Sequence, residues 1–289
     1  MSLAQVYAPG KLGLSFELFP PKTAEMETAL WEHVDKLSEF GPSYFTCTYG
    51  AGGSTRDKTL EIVRRVKERC HTPVASLLTC VGATVDQLRS YLTEATRAGI
   101  DYIVALRGDP PKGESEFKPV AGGLRYANEL VALIRAEFPS LGIAVAGYPE
   151  THQEAPSAAV DLDNLRRKVD AGADVVITQL YYDNDDYFRF RDQCEQRGIR
   201  VPIIPGLLPV TNLAQVQRIT SLCKAHLPQR FVDALSQRPD PNWQFEVGVE
   251  YATEQVRDLL RRGVPGVHFY VLNKSLATGR VLQAVGWSQ

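Results

Sequence analysis

Asp161–Gln179 reads DLDNLRRKVDAGADVVITQ, and this stretch decides the fold. A charged, amphipathic run ends at Ala171-Gly172-Ala173. Two residues later an apolar, β-branched run begins, and it stops at a side-chain amide. Glycine closes a helix because it accepts the left-handed conformation. Val175–Gln179 has the length and β-branched content of a buried strand. The unit is therefore helix, glycine, strand. It recurs where Asp86–Ala98 runs into Gly99 ahead of Tyr102–Arg107, and Gly198-Ile199 and Gly263-Val264 repeat the junction. In Thr55–Arg69 the apolar residues Leu60, Val63 and Val66 are spaced to share one helix face.

Working outward, eight strands are expected: Gly13–Phe19, Tyr44–Thr48, Val74–Thr79, Tyr102–Arg107, Ile143–Tyr148, Val175–Gln179, Ile203–Leu207 and Val267–Val271. The first seven recur about every 30 residues, the length of one βα unit. This predicts an α/β fold, a TIM (β/α)8 barrel forming a single domain over residues 1–289. A doubly wound sheet would show a glycine-rich turn after its first strand, where this chain has Phe19-Pro20-Pro21. The irregular part is 208–266. It is expected to hold more than one helix, including Phe245–Arg262, with Gln237–Trp243 as a surface loop.

Apolar residues make up 44% of the chain and charged residues 23%, which suits a large packed core. A net charge of -2 gives no electrostatic reason for a nucleic-acid or membrane partner. Apolar runs such as Val201–Leu208 are broken by proline, and Met1–Lys11 lacks the pattern of a secretion signal. Five cysteines without a CxxC read as reduced thiols of a cytoplasmic protein, and the five histidines show no ligand spacing, so no metal is expected.

In such a barrel the functional residues stand at the C-terminal ends of strands. Those ends carry Glu17, Thr48-Tyr49-Gly50, Thr79, Arg107-Gly108-Asp109, Tyr148-Pro149-Glu150 with His152, Gln179 with Tyr181, Leu207–Pro209, and Tyr270 with Asn273. Glu17 is the single carboxylate of an apolar strand. Burial would raise its pKa and suit it to general-acid work; a glutamate pointing outward, or paired in a barrel layer, fits the pattern as well. Asp109 follows a glycine that lets backbone approach a ligand, and it reads equally as a turn aspartate. Gln179 would read an amide edge or bond neighbouring backbone. A lone His152 is more often a capping or packing residue. Gly50–Gly53, opening a helix, is either a phosphate cradle or a flexible loop. There is no GxGxxG, Walker loop, HExxH or GxSxG.

Taken in order, these segments resemble the methylenetetrahydrofolate reductases. Ser15–Thr23, Thr48-Tyr49-Gly50-Ala51, Leu106–Pro111, Tyr148-Pro149-Glu150 with His152, Leu165–Ala173, Ile177-Thr178-Gln179, Pro205–Val210 and His268–Asn273 follow the family's sequence of motifs from about Leu14 to Gly286. The resemblance implies a non-covalent FAD over the barrel top, reduced by a nicotinamide dinucleotide, with NADH favoured. Methylenetetrahydrofolate then takes the dinucleotide's place and receives the hydride. It implies Glu17 as general acid toward N10 and Asp109 beside flavin and pterin. FAD would be held by Thr48, Arg107, Gly108, Asp109, Tyr148, His152, Asp161 and Lys168. The substrate would meet Glu17, Asp109, Gln179, Tyr270 and Lys274. A homo-oligomer and the absence of a regulatory domain are also implied. Rival readings are a flavin-independent folate reductase and another folate-binding barrel. The chain departs from the family pattern at Leu77, where members commonly have a flavin-contacting histidine. It departs also at Leu213 in place of a phenylalanine and at Lys274 in place of an arginine, a point charge where the family has a planar fork.

Overall fold

The structure, a computed structural model, describes residues 2–48, 56–110, 113–114 and 116–287. Strands and helices alternate along the chain. The strands are β1 (Gly13–Leu18), β2 (Tyr44–Cys47), β3 (Val74–Thr79), β4 (Tyr102–Leu106), β5 (Gly142–Gly147), β6 (Val175–Thr178), β7 (Ile203–Ile204), β8 (Gly206–Leu207) and β9 (Gly266–Tyr270). The helices are α1 (Leu3–Val6), α2 (Ala24–Ser38), α3 (Arg56–Cys70), α4 (Val85–Arg97), α5 (Ala127–Glu137), α6 (Ala158–Asp170), α7 (Asn184–Gln196), α8 (Leu213–Cys223), α9 (Gln229–Ser236), α10 (Pro241–Arg261) and α11 (Leu276–Ala284).

Among the described residues the nine strands pair in parallel, in the order β7-β6-β5-β4-β3-β2-β1-β9-β8. Nine strands replace the eight expected, because Ile203–Leu207 is divided at Pro205. Proline has no N–H to give a ladder. β7 pairs with β6 and β8 pairs with β9, so the two pieces together close the barrel. The Pro205 carbonyl still accepts from the His268 N–H at 3.0 Å, and the Gly206 N–H turns to the Thr178 hydroxyl at 2.9 Å.

Alternation along the strands separates two cores. In β1, Leu14, Phe16 and Leu18 face the surrounding helices and join the large outer cluster, while Ser15 and Glu17 belong to the other face. Inside, Tyr44, Ala75, Leu77, Tyr102, Val104, Ala144, Val175, Ile177 and Ile204 form a second cluster with Leu3, Val6 and Tyr7. The short α1 thus stops the N-terminal end of the barrel. Four residues are too few to show a helical period, so α1 is not legible from periodicity. Each fully buried large apolar side chain contributes about 1.5–3 kcal/mol, and both clusters are made of them.

The stretch 208–266 holds α8, α9 and α10. Gln237–Trp243 is not wholly loop: α10 starts at Pro241, with the Asp240 side chain accepting from the Asn242 N–H at 3.1 Å. Asp followed by Pro is a helix start, because proline at the first helical position has no hydrogen bond to lose. The glycine-rich segment Gly50–Gly53 lies outside the described residues. Among the described residues no helix is long and apolar enough to cross a membrane, and no group of three or more His, Cys, Asp or Glu side chains is placed to hold a metal. The five cysteines are free thiols.

Gly248 in α10 lies against the backbone of Val210, in the loop that follows β8. A Cβ there would stand 1.7 Å from the Val210 carbonyl oxygen. Helix propensity alone would make Gly248→Ala stabilising by about 1 kcal/mol. The clash is with backbone, and overpacking costs about 1–3 kcal/mol. The expected result in urea unfolding is a lower midpoint for G248A; a raised midpoint would show that the loop gives way freely.

Candidate active site

One large cavity of about 1240 Å³ opens at the C-terminal end of the barrel. Its floor is the top inward layer of the strands, with Glu17 from β1, Thr46 from β2, Leu77 from β3, Ile177 from β6, and His268 and Tyr270 from β9. The β1 register sets Glu17 beside Thr46 on one side and Tyr270 on the other.

The Glu17 side chain is 14% exposed, and burial pushes its carboxyl up to about 8. A carboxylate removed from water without compensating charge or donors holds its proton. Its nearest basic group is His268, with Nε2 4.0 Å from Oε2, and burial pushes that imidazole down to about 3. The sequence left open whether Glu17 pointed outward; it faces the cavity. Thr46 is fully buried and its hydroxyl has no hydrogen-bond partner among the described residues. The Tyr270 hydroxyl donates to the Thr178 carbonyl at 2.8 Å, which fixes the ring as a wall.

Around the rim stand the residues of β4, β5 and α6. Gly108 has φ +89°, and an added Cβ would meet Val81 Cγ1 at 2.8 Å, so only glycine fits between Arg107 and Asp109. The Arg107 guanidinium is held by Glu154 through two bonds of 2.6 and 2.7 Å and lies over Phe117 at 5.1 Å. Asp109 is exposed at the cavity edge. Tyr148 meets His152 edge to face at 4.6 Å. Burial lowers the His152 pKa and raises that of Tyr148. The Asp161 carboxylate accepts from the His152 backbone N–H at 2.9 Å, and Nδ1 of His152 accepts from the Glu154 N–H at 3.1 Å.

One face of α6 turns Asp161, Asn164, Arg167 and Lys168 to the cavity. Lys168 donates to the Ala146 carbonyl at 2.5 Å, and burial pushes its ammonium down to about 8. Gln179 also lines the cavity. Its amide oxygen accepts from the Leu180 N–H at 2.8 Å, which leaves the NH2 group to donate. Thr48 lines the same cavity at the end of β2.

Among the residues singled out from the sequence, Glu17, Thr48, Arg107, Gly108, Asp109, Tyr148, His152, Asp161, Lys168, Gln179 and Tyr270 therefore meet at one cavity. Lys274 does not. It is exposed and lines a small adjoining pocket with Leu208–Asn212, Tyr270 and Leu272. Sequence reading missed Thr46, Glu154 and His268. Thr46 and His268 lie two residues before Thr48 and Tyr270, so alternation alone places them on the inner face. Glu154 sits in an irregular loop and left no such signal.

A family model described as methylenetetrahydrofolate reductase matches residues 2–286. The chain is 42% identical to the 5,10-methylenetetrahydrofolate reductase of Escherichia coli (strain K12) over 288 residues, covering 99% of this chain and 94% of that one. It is 39% identical to a probable methylenetetrahydrofolate reductase (NADH) of Oryza sativa subsp. japonica, covering 98% of this chain and 50% of the plant protein. Among solved structures, an uncharacterized protein from Clostridium thermocellum, described as binding two copies of 5-methyl-5,6,7,8-tetrahydrofolic acid, aligns over 98% of both chains with a TM-score of 0.63. At 16% identity that likeness is one of fold. A match running almost from end to end, on a barrel whose strand ends already converge on one cavity, leaves a single assignment: the chain belongs to the methylenetetrahydrofolate reductase family.

Proposed function

We propose that this chain reduces 5,10-methylenetetrahydrofolate to 5-methyltetrahydrofolate, with FAD as cofactor and NADH as donor. The observation that carries the reading is a buried carboxyl, Glu17, pushed up to about 8 by burial, at the floor of a cavity large enough for a dinucleotide cofactor and a pterin. Family membership supplies the reaction, and the name of the plant relative supplies the donor.

The residues present fit FAD. A cavity of about 1240 Å³ exceeds the 300–1,000 Å³ typical of small-molecule sites. Lys168 has three N–H donors and spends one on Ala146, so it keeps donors for a pyrophosphate beside Arg167. Thr48, Arg107, Gly108, Asp109, Tyr148, His152, Asp161 and Lys168 would hold the cofactor. Gly108 lets the chain approach it closely. Arg107 arrives already bound to Glu154, so it acts as a braced wall rather than a free cation. FAD, when bound, would carry the hydride from NADH to the folate.

The chain's own part is binding and proton transfer. Glu17, neutral below about pH 8, gives its proton to N10 of the substrate, which opens the five-membered ring to a reactive iminium. Asp109, at the cavity edge, takes the pterin's polar edge. Gln179 donates through its free NH2 group, and Tyr270 packs against the bound ring. Lys274, one pocket away, reaches the outer part of the substrate. The apolar floor of Leu77, Val104 and Ile177 excludes water from the reacting atoms. We further propose that the chain works in the cytoplasm as a homo-oligomer, as its family resemblance implies.

Three outcomes test this reading. Glu17→Gln should keep NADH oxidation by an artificial quinone but lower folate reduction about 10²- to 10⁴-fold, the usual contribution of a general acid. Normal folate turnover in E17Q would end the assignment. The acid must be protonated to act, so kcat/KM for the folate should hold below about pH 8 and then fall, approaching tenfold per unit, as pH rises through that value. A rate that climbs from pH 7 to 9 would assign the proton elsewhere. Asp109→Asn should slow the folate step more than NADH oxidation; equal losses in both would remove its substrate-side role.

A further inference from the structure

A buried polar pair from β1 and β9 lies in the barrel interior beneath Glu17. Ser15 and His268 are 0% and 1% exposed, paired across β1 and β9, with Ser15 Oγ 2.8 Å from His268 Nδ1. The hydroxyls of Tyr7 and Tyr44 stand 2.8 Å apart, and Tyr44 is the register partner of Ser15 on β2. The other ring nitrogen, Nε2 of His268, faces Glu17 Oε2 at 4.0 Å.

The hydrogen-bond direction follows from the groups. A serine hydroxyl can donate to Nδ1 or accept from it; with a carboxyl oxygen facing Nε2, the assignment that gives each ring nitrogen a complementary partner has Ser15 donating to Nδ1. A neutral imidazole whose Nδ1 accepts carries its proton on Nε2. Burial keeps this ring neutral. The imidazole therefore presents one fixed N–H toward Glu17. The gap of 4.0 Å is too long for a hydrogen bond with the neutral acid. It is too narrow for an interposed water, and a small turn of the carboxyl would close it.

We propose that His268 is the positioning residue for Glu17: Ser15 fixes its tautomer so that Nε2–H faces the carboxyl group, and the contact closes on the carboxylate left once Glu17 has given its proton to the substrate. The proposal rests on the reading of Glu17 as the acid. No proton leaves His268; the N–H···O bond stabilises the anion while it awaits a new proton. Catalytic hydrogen bonds that are long in a free site commonly tighten in this way. The other titratable groups near Glu17 are Tyr270 on β9 and Cys47 on β2. Burial and the Glu17 charge raise the pKa of both, so they stay neutral while Glu17 titrates.

The test is a 13C NMR titration of the Glu17 carboxyl in the whole protein, its signal identified by its loss in E17Q, with the parent compared to His268→Leu, His268→Gln and Ser15→Ala. The expected result is a Glu17 midpoint about one to two pH units higher in H268L, the worth of a hydrogen bond to a charged group. It should return toward the parent in H268Q, whose amide N–H has similar reach. A smaller rise is expected in S15A, which touches the tautomer and not Glu17. The basic limb of folate kcat/KM should move upward with it. If the midpoint is unmoved in H268L, or H268Q behaves as H268L, His268 is only packing. If H268L does not fold, S15A decides alone, and an unmoved midpoint there overturns the proposal. A normal folate rate in E17Q, by contrast, would remove the acid role while leaving the measured coupling of the two side chains intact.

Discussion

Closing a parallel sheet on itself confines half of every strand's side chains to one narrow interior. An eight-strand barrel is just wide enough for those side chains to fill it. The constraint admits polar groups only at the mouth or where they bond one another. Both cases occur in this chain. Lower down, Tyr7 bonds Tyr44, and Ser15 bonds His268. At the mouth, the Thr46 hydroxyl is left without a partner among the described residues, and burial pushes the Glu17 carboxyl up to about 8. The chemistry of the site is thus a consequence of closure. The same glutamate on an open, wetted sheet face would be an ordinary carboxylate.

Closure also explains why Pro205 is tolerated. A proline in a central strand removes a ladder bond, yet here it divides the strand exactly where the partners change, β6 before it and β9 after it. Gly206 then approaches so closely that an added Cβ would lie 2.2 Å from the Thr178 carbonyl and 2.8 Å from the Tyr270 ring. The residues that close the barrel are therefore also those that press Tyr270 against the cavity. Fold and site share one seam.

The barrel was legible from local chemistry, because helix, glycine and strand recur with regular spacing and each unit signals itself. Glu17 was legible as a lone carboxylate in an apolar run, but its direction was not: whether a strand residue faces in or out depends on what covers each face. The division at Pro205 lay beyond reach, since only the closed sheet reveals that its two halves serve different neighbours. Glu154 was invisible for another reason. It meets Arg107 across 47 residues through a loop without periodicity, and nothing in either segment announces the pairing. His268 sits inside a motif that was recognised, two residues from Tyr270, and was passed over because the ends of strands were read and not the layer beneath them.

The buried carboxyl works against stability. Raised from 4.5 to about 8, Glu17 is protonated in the folded chain at pH 7 and ionised in the unfolded one. A group whose folded pKa is raised gives its full stability below its unfolded pKa, and that contribution is lost as pH rises toward the folded value. At about 1.36 kcal/mol per pH unit, the loss between pH 4.5 and 7 is about 3 kcal/mol. That is a large share of the 5–15 kcal/mol by which proteins are usually stable. A glutamine of the same shape would avoid most of it, so packing does not require the acid. The outer cluster, where β1 places Leu14, Phe16 and Leu18 against the helices, can carry such a loss. The two faces of this one strand divide the labour: its even-numbered residues pack the outer core, and Glu17 on the other face offsets part of that stability by keeping its proton at neutral pH.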